Sequence, residues 1–187
     1  MPLSITIDLS DTDLDYFQEA LRRAQSSAGV KSSREITDAA GKVLEAGKDN
    51  SVPAFIAERL SKLESLINMV HDEGWALGDD DKRRVLTALA YFAEPNDVIP
   101  DDVPVVGYLD DAIMIELCVR ELKHEVEAYD DFVAFRRDEA EGRGMDPTTV
   151  GRTEWLEGRR QELQERMRRR RSSYSGGGMG GAMFSIR

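Results

Sequence analysis

The sequence predicts an all-α protein, and three observations support this fold class. Apolar residues recur every three or four positions over several long segments, which is the period of an amphipathic helix. Charged residues make up 33% of the chain and hydrophobic residues 41%, which is typical of helical bundles with charged outer faces. Glycine, proline and capping residues separate the periodic segments. We expect a helical bundle with a long helical hairpin around a corner rich in proline and aspartate.

The first elements are a short strand and a helix. Residues 3–9, "LSITIDL", alternate between apolar and polar, which predicts a short strand or an extended arm. The following "SDTD" offers a helix N-cap with early acidic residues. Leu14, Phe17 and Leu21 then lie on one helical face. Gly29 is expected to end this helix.

A second helix is predicted from Ser33 to Ala46, followed by Gly47 as its C-terminal residue. A third helix should begin after a cap at Ser51, with Pro53 in its first turn. Both segments carry an apolar stripe at helical spacing. The stripe residues are Ile36, Ala39, Ala40, Val43 and Leu44 in the second helix, and Phe55, Ile56, Leu60, Leu63, Leu66, Ile67 and Val70 in the third.

A fourth helix, capped by Asp79 or Asp80, is predicted to run through Phe92. Its inner face carries Val85, Leu86, Leu89 and Ala90. The longest predicted helix spans residues 109–141. Its apolar residues recur at intervals of three or four, which suits packing within a bundle or across a dimer. They are Ile115, Cys118, Leu122, Val126, Tyr129 and Val133.

The last helix should begin at Asp146 or Thr148 and end near Arg171. Its few apolar residues predict a position on the surface or against one neighbour. They are Trp155, Leu156, Leu163 and Met167. Three regions result: a bundle over 1–145, a basic C-terminal helix over 146–172, and a glycine-rich tail over 173–187, whose composition is typical of flexible linkers.

Composition limits where and how the chain can act. Its 187 residues fit one domain of moderate size. The single cysteine, Cys118, excludes an internal disulfide framework and indicates a reducing compartment. The N-terminus lacks the basic start and apolar run of a signal peptide. The apolar runs fall far short of the roughly 20 residues that span a bilayer. We therefore expect a cytoplasmic protein without a transmembrane segment.

The charge is strongly asymmetric along the chain. The formal net charge is −11, yet residues 152–187 hold nine arginines and four glutamates. The overall acidity argues against general nucleic-acid binding. Pairing of the basic helix with acidic faces, in the same chain or another subunit, is the favoured interpretation. The alternative is contact of the Arg166–Arg171 run with RNA or an anionic membrane.

The segment from Tyr91 to Asp111, the corner, contains three prolines and six acidic residues. Pro95, Pro100 and Pro104 prevent the flanking helices from continuing, and Gly107 permits conformations that other residues avoid. Short acidic side chains can satisfy backbone amides in such a turn, or favour a helix N-terminus. The candidates are Asp97 and Asp101 within the corner, and Asp110 or Asp111 at the start of the next helix.

This segment, within residues of about 85–122, resembles the YkvA family, a bacterial domain of unknown function. The family pattern is close to "YF-x-x-P-x-D-x-IPD-x-x-P-x-x-G-x-x-DD". Glu94 and Asp102 depart from it, because relatives are often apolar at these places. The resemblance implies a helical hairpin core and no known activity. The matching residues are Tyr91, Phe92, Pro95, Asp97, Ile99, Pro100, Asp101, Pro104, Gly107, Asp110 and Asp111.

Many YkvA-like relatives have more hydrophobic helices and are thought to associate with membranes. Here the flanks of the corner, residues 79–84 and 120–131, are highly charged. These charges argue against insertion into a bilayer, although peripheral contact stays open.

The corner is also the weak candidate for a divalent-metal site, because Mg²⁺ and Ca²⁺ bind carboxylate oxygens. The spacing of a calcium-binding loop is absent. Structural capping is therefore the favoured role, with a metal site or metal-dependent enzyme as the alternative. The carboxylates concerned are Asp97, Asp101, Asp102, Asp110 and Asp111.

Other candidate chemistry is sparse. Glu121-x-x-His124 has the spacing found in di-iron bundles, but the chain lacks a second such pair. His71 and His124 are therefore expected to be ordinary polar residues, and Cys118 a buried core thiol. The sequence has no nucleophile elbow and no framed phosphate loop. We predict no catalytic residues and no cofactor.

The glycine-rich tail ends in "AMFSIR". A short apolar and basic peptide on a linker can dock into a partner's groove at high effective concentration. Peptides that load cargo into protein shells have this general layout. The candidate partner-binding residues are Met183, Phe184, Ile186 and Arg187. The leading hypothesis is a non-enzymatic protein that acts through contacts with a protein partner or with itself.

Overall fold

The computed structural model describes residues 9–49, 52–94 and 108–174, and this part of the chain confirms the all-α prediction. Seven α-helices and two 3₁₀ turns make up its regular structure. The predicted strand lies outside the described residues, apart from Leu9. The helices are α1 (Asp11–Ser27), α2 (Ser33–Asp49), α3 (Ala54–His71), α4 (Asp79–Leu89), α5 (Leu109–Glu121), α6 (Lys123–Gly142) and α7 (Glu154–Tyr174).

Helix α1 begins at the predicted cap. The Ser10 side chain accepts a hydrogen bond from the Asp13 amide, and the Asp13 carboxylate accepts one from the Ser10 amide. This reciprocal pair is a capping box, and it satisfies two amides that have no partner within the helix. The helix ends at Ser27, and Gly29 lies in the 3₁₀ turn that follows, Ala28–Val30.

Helix α2 continues beyond Gly47, so the prediction that this glycine follows the helix is wrong. A Cβ atom built at Gly47 would lie 2.3 Å from Leu60 Cδ1 on α3. A side chain here would force Leu60 to shift, so the glycine marks a close approach of α2 and α3 and not a turn.

Helix α3 begins at Ala54 after Pro53, while the predicted cap, Ser51, lies outside the described residues. The N-cap of α4 is Gly78, which corrects the prediction of Asp79 or Asp80. Both aspartates instead lie in the first turn, where the helix dipole favours negative charge.

The fourth helix is shorter than predicted. It ends at Leu89, and the 3₁₀ turn Ala90–Ala93 carries Tyr91 and Phe92. Both aromatic side chains are buried. The tighter turn therefore places the first two residues of the corner motif in the core.

The prediction of a single long helix over residues 109–141 is wrong, because the helix is interrupted at Leu122. Leu122 has φ −100° and ψ 21°, outside helical geometry. The Glu121 carbonyl next to the break accepts a hydrogen bond from Arg84 Nη2 at 3.0 Å. Arg84 of α4 thus donates to a backbone carbonyl at the point where the hydrogen bonds of the helix are interrupted.

Helix α7 begins at Glu154, later than the predicted starts at Asp146 and Thr148. Asp146 instead caps a local turn: its Oδ1 accepts from the Thr148 amide at 2.9 Å and from the Thr148 hydroxyl at 2.8 Å. Side-chain caps of this kind stabilise turns as well as helices.

Helix α3 lies at the centre of the bundle and packs against α2, α4, α5 and α6. Helices α1 and α2 cover the 3₁₀ turn Ala90–Ala93, and α7 packs mainly along α6. The predicted apolar stripes supply most of the core. The largest fully buried side chains are Trp75, Phe132, Ile36, Ile56, Leu63, Leu66, Met69, Leu89, Met114, Ile115, Leu122 and Leu156.

Candidate functional site

The structure describes both ends of the predicted corner. Tyr91 and Phe92 are buried on one side, and Asp110 and Asp111 are buried in the first turn of α5 on the other. The Tyr91 hydroxyl donates to Asp110 Oδ2 at 3.5 Å. The remaining motif and candidate metal residues lie outside the described residues: Pro95, Asp97, Ile99, Pro100, Asp101, Asp102, Pro104 and Gly107.

Asp110 and Asp111 lie in the first turn of α5, where the positive end of the helix dipole favours carboxylates. The N-cap residue is Tyr108, and among the described residues no side-chain hydrogen bond caps this helix. Within the described ranges, no group of three or more histidine, cysteine, aspartate or glutamate residues could hold a metal ion. Three of the five candidate carboxylates fall outside those ranges, so the metal site stays a prediction.

The chain leading into the corner is held by Glu94. Its Oε1 accepts from Lys31 Nζ at 2.6 Å and from Ser27 Oγ at 2.5 Å. The hydrogen bonds from Lys31 and Ser27 lower the pKa of Glu94. Lys31 also donates to the Ala93 carbonyl at 2.8 Å. Residue 94, a departure from the YkvA pattern, therefore has a structural partner in this chain.

Two buried carboxylates form a charge cluster with three arginines, which we call the α7 clamp. Asp81 on α4 and Glu125 on α6 are 3% and 1% exposed. Arg171 Nη1 lies 2.7 Å from Asp81 Oδ1 and 2.9 Å from Glu125 Oε1. Arg168 Nε donates to Asp81 at 3.0 Å, and Arg84 Nε to Glu125 at 3.0 Å. The clamp therefore joins α4, α6 and α7.

The rest of the arginine run also contacts acidic residues of the same chain. Arg166 pairs with Asp131, and Arg170 Nη1 lies 3.2 Å from Glu127 Oε2. Both acidic residues belong to α6. These contacts support the intramolecular interpretation of the arginine run.

A second polar network surrounds Asp72, just after α3. Its Oδ1 accepts from the amides of Gly74 at 2.9 Å and Trp75 at 3.1 Å, and from Arg136 Nη1 at 2.8 Å. Its Oδ2 accepts from the Tyr129 hydroxyl at 2.9 Å. One carboxylate thus ties the end of α3 to two residues of α6.

The pKa values of Asp72 and Tyr129 shift in opposite directions. Burial alone would raise the pKa of Asp72, but the hydrogen bond and charge of Arg136, with the Trp75 amide and Tyr129, hold it below its ordinary value. Burial raises the pKa of the Tyr129 phenol, and the Asp72 charge raises it further. Asp72 is therefore an ionised acceptor, and Tyr129 a neutral donor.

The network lies in an open cleft of about 540 Å³ between α3, α6 and the loop before α7, which we call the Asp72 cleft. Its lining is mostly polar, and Asp72 and Arg136 already neutralise each other inside it. The lining residues are Ser65, Asn68, His71, Asp72, Glu73, Gly74, Tyr129, Asp130, Val133, Arg136, Thr148, Thr149, Val150 and Gly151.

Trp75 fills the space beside this network and is fully buried. Its ring packs 5.0 Å from that of Phe132 and 5.9 Å from that of Tyr129, measured between centroids. Its carbonyl accepts from Gln164 Nε2 of α7 at 2.8 Å. Helix α7 therefore also holds the connection between α3 and α4.

Neither the Asp72 network nor the α7 clamp was predicted from the sequence. A signal for the first exists in "HDEGW", because aspartate two residues before glycine is typical of a side-chain-capped turn. Asp81 and Glu125 carry no such local signal. Their burial depends on arginines that are roughly 45 to 90 positions away.

Cys118 is a buried thiol, as predicted. Its Sγ donates to the Ala88 carbonyl at 3.0 Å, and burial raises its pKa. Glu121 and His124 lie on different helices, separated by the break at Leu122. They therefore do not share a helical face as the di-iron spacing requires.

Every helix within the described ranges is too short or too polar to cross a bilayer.

Comparison with known proteins gives one match, to a family model. No curated protein and no solved structure matches this chain. The model of one family, described as "Protein of unknown function (DUF1232)", matches residues 81–117, from the clamp residue Asp81 through the corner into α5.

Proposed function

We propose that this chain is a non-enzymatic cytoplasmic protein of the YkvA-like type that acts by binding a protein partner, through the segment that follows α7. The observation that carries the proposal is the rigid attachment of α7. The clamp fixes its C-terminal half through ion pairs with buried carboxylates of α4 and α6. The glycine-rich residues 175–181 follow directly in sequence.

An anchored helix defines the point from which the following segment extends. Leu156, Leu163 and Met167 of α7 are buried against the bundle. Because burial of each such side chain contributes roughly 1.5–3 kcal/mol, α7 is stably docked even though its outer face is polar. A glycine-rich linker then limits the distance over which an attached peptide can search for its partner.

The segment after the linker has the chemistry of a short docking peptide. Met183, Phe184 and Ile186 supply apolar side chains, and Arg187 supplies a positive charge. Peptide grooves in partner proteins use apolar anchors for affinity and charged residues for orientation. The acidic body repels acidic surfaces, which favours a partner whose groove is apolar with a local acidic group for Arg187.

The test compares partners captured from native cell extract by three versions of the full chain. The triple variant Met183→Ser, Phe184→Ser, Ile186→Ser should lose a partner that the unchanged chain retains. The matched control is Met179→Ser, which changes an apolar residue inside the linker. Identical partners for all three versions would refute docking through this segment.

Self-association is a separable outcome of the same proposal. Light scattering coupled to size exclusion should be run on the unchanged chain and the triple variant. An assembly that dissociates only in the triple variant makes a second copy the partner. A monomer in both cases leaves a different protein as the partner.

A second candidate function rests on the burial of Asp110 and Asp111. Two adjacent buried carboxylates at the end of an acidic corner could provide oxygen ligands to a divalent cation. Native mass spectrometry should then show a bound metal that is lost in Asp97→Asn and Asp110→Asn. If the unchanged chain is metal-free and the variants only melt earlier, the aspartates are structural.

A further inference from the structure

A shallow depression of about 360 Å³ lies between the start of α6 and the end of α7. Lys123, His124 and Glu127 of α6 line one side, and Arg170 and Ser173 of α7 line the other. The Ser173 side chain is exposed to solvent. A serine hydroxyl therefore stands at the edge of a basic surface where two helices meet.

Glu127 is the single carboxylate among these lining residues. Its Oε2 lies 3.2 Å from Arg170 Nη1 and 3.7 Å from His124 Nδ1, and its Oε1 lies 3.9 Å from Lys123 Nζ. One negative charge thus faces a lysine, an arginine and an imidazole. The depression can accept further negative charge.

Ser173 also has the sequence surroundings of a phosphate acceptor. Four consecutive arginines, Arg168–Arg171, end two residues before it, and Tyr174 follows it. Its hydroxyl donates to the Arg170 carbonyl at 2.8 Å, a contact within the last turn of α7. An enzyme groove requires an extended form, so the last turn must open and Arg171 must leave Asp81 and Glu125 for acidic groups of the kinase.

We propose that Ser173 is a phosphorylation site for an arginine-directed protein kinase that uses ATP. The Ser173 oxygen bonds to the γ-phosphorus, the bond from that phosphorus to the ADP oxygen breaks, and the hydroxyl proton passes to the base of the kinase. Acidic groups in the kinase groove would pair with the arginines before the serine.

The phosphate would bind within the depression. It carries a charge of about −2 and three acceptor oxygens, so it can bridge Lys123 of α6 and Arg170 of α7. Glu127 and the negative end of the α7 dipole oppose it. Lys123 and Arg170 both line the depression, and the one opposing carboxylate, Glu127, is 41% exposed and can turn toward solvent. Phosphorylation therefore adds a tie between α6 and α7.

The first experiment incubates the full chain with the catalytic subunit of cyclic-AMP-dependent protein kinase and magnesium ATP. Mass spectrometry then locates the phosphate. The unchanged chain and Ser172→Ala should each gain one phosphate at residue 173, whereas Ser173→Ala should lose at least nine-tenths of the incorporation. No incorporation, or incorporation that Ser173→Ala leaves intact, overturns the assignment.

The second experiment tests the binding of the phosphate. Phosphorus NMR of the phosphorylated full chain should show a second phosphate pKa below that measured in urea, because the cations favour the dianion. The Lys123→Gln variant, which keeps all four arginines before the serine, should move this pKa toward the value in urea. Equal pKa values in the native and unfolded chains would overturn the proposed tie.

Discussion

Asp72 shows how much one side chain can organise in this fold. It caps the turn after α3 through two amides and at the same time receives Tyr129 and Arg136 from α6. Its side chain is 9% exposed. Because a buried carboxylate needs several donors to offset its lost hydration, the four contacts are interdependent.

Replacing Asp72 with asparagine should lower the free energy of unfolding by about 2 kcal/mol at pH 7, because hydrogen bonds to a charged group are lost. The pKa of Asp72 in the folded chain is below its ordinary 3.8. The unfolded chain therefore takes up this proton first as the pH falls, and the Asp72 contribution begins to be lost near pH 4 and decreases further until the folded carboxylate is itself protonated.

Urea unfolding at pH 7 and pH 3 checks this expectation. The difference between the unchanged chain and Asp72→Asn should shrink at the lower pH. Asp80→Asn, on a 92% exposed side chain, is the control and should differ from the unchanged chain by less than about 0.5 kcal/mol at either pH. A difference that is the same at both pH values would contradict the role of the Asp72 charge.

Some single residues could be placed from the sequence and others could not. Cys118 was predictable because it lies on an apolar stripe with Ile115 and Leu122, and local period determines the face of a helix. The burial of Asp72 was not predictable, because it depends on partners more than 50 positions away. Gly47 was misread because a glycine at a helix contact and a glycine at a helix end look alike in sequence.

At the scale of elements, the break between α5 and α6 shows the limit of periodicity. The apolar interval of three or four continues through Leu122, so the pattern predicts one helix. No proline or glycine marks the break. The carbonyl of Glu121 instead accepts a hydrogen bond from Arg84, which is a tertiary contact. A break that depends on another helix leaves no local signal.

Two glycines on α2 provide a matched test of helix packing. Gly41→Ala meets nothing within 4 Å and should stabilise the chain by about 1 kcal/mol through helix propensity. Gly47→Ala would place a methyl group 2.3 Å from Leu60 Cδ1. Overpacking costs about 1–3 kcal/mol, so this variant should lose about 1 kcal/mol despite the same propensity gain.

Thermal and urea unfolding of both glycine variants would measure these changes. Opposite signs are expected for the two positions. Stabilisation by both substitutions would mean that Leu60 turns aside freely and that α2 and α3 are less closely packed than the structure shows.

At the scale of the molecule, α7 joins the bundle through a polar stripe. Arg160, Gln164, Arg168 and Arg171 recur every three or four residues and contact the α3–α4 connection, Asp81 and Glu125. The few apolar residues of α7 predicted a position on the surface or against a neighbour, and the helix packs mainly along α6. The inward arginines were not predicted, since arginine is usually a surface residue.

Glu125→Gln tests whether the clamp holds the molecule together. The substitution leaves Arg84 and Arg171 without their shared carboxylate, and we expect a loss of about 2–3 kcal/mol in the free energy of unfolding. Glu162→Gln, in an exposed pair with Arg159, is the control and should change it by less than about 0.5 kcal/mol. Equal stabilities of both variants would contradict a structural role for the clamp.

The fold class and the pair of aspartates at the start of α5 could be predicted from the sequence, because helical period and dipole chemistry are local. The candidate site as a whole could not. Its central residues, 95–107, lie outside the described part of the chain, and the two polar networks that the structure adds depend on distant partners.

The clamp has a consequence for the part of the chain that matches the family of unknown function. That match begins at Asp81 and ends well before α7. If the chain were cut before Glu154, Asp81 would lose both arginines that neutralise it, and Glu125 would keep only Arg84. The matched hairpin of this protein therefore depends for its charge balance on a helix outside the match, and its borders as a folding unit are wider than its borders as a family motif.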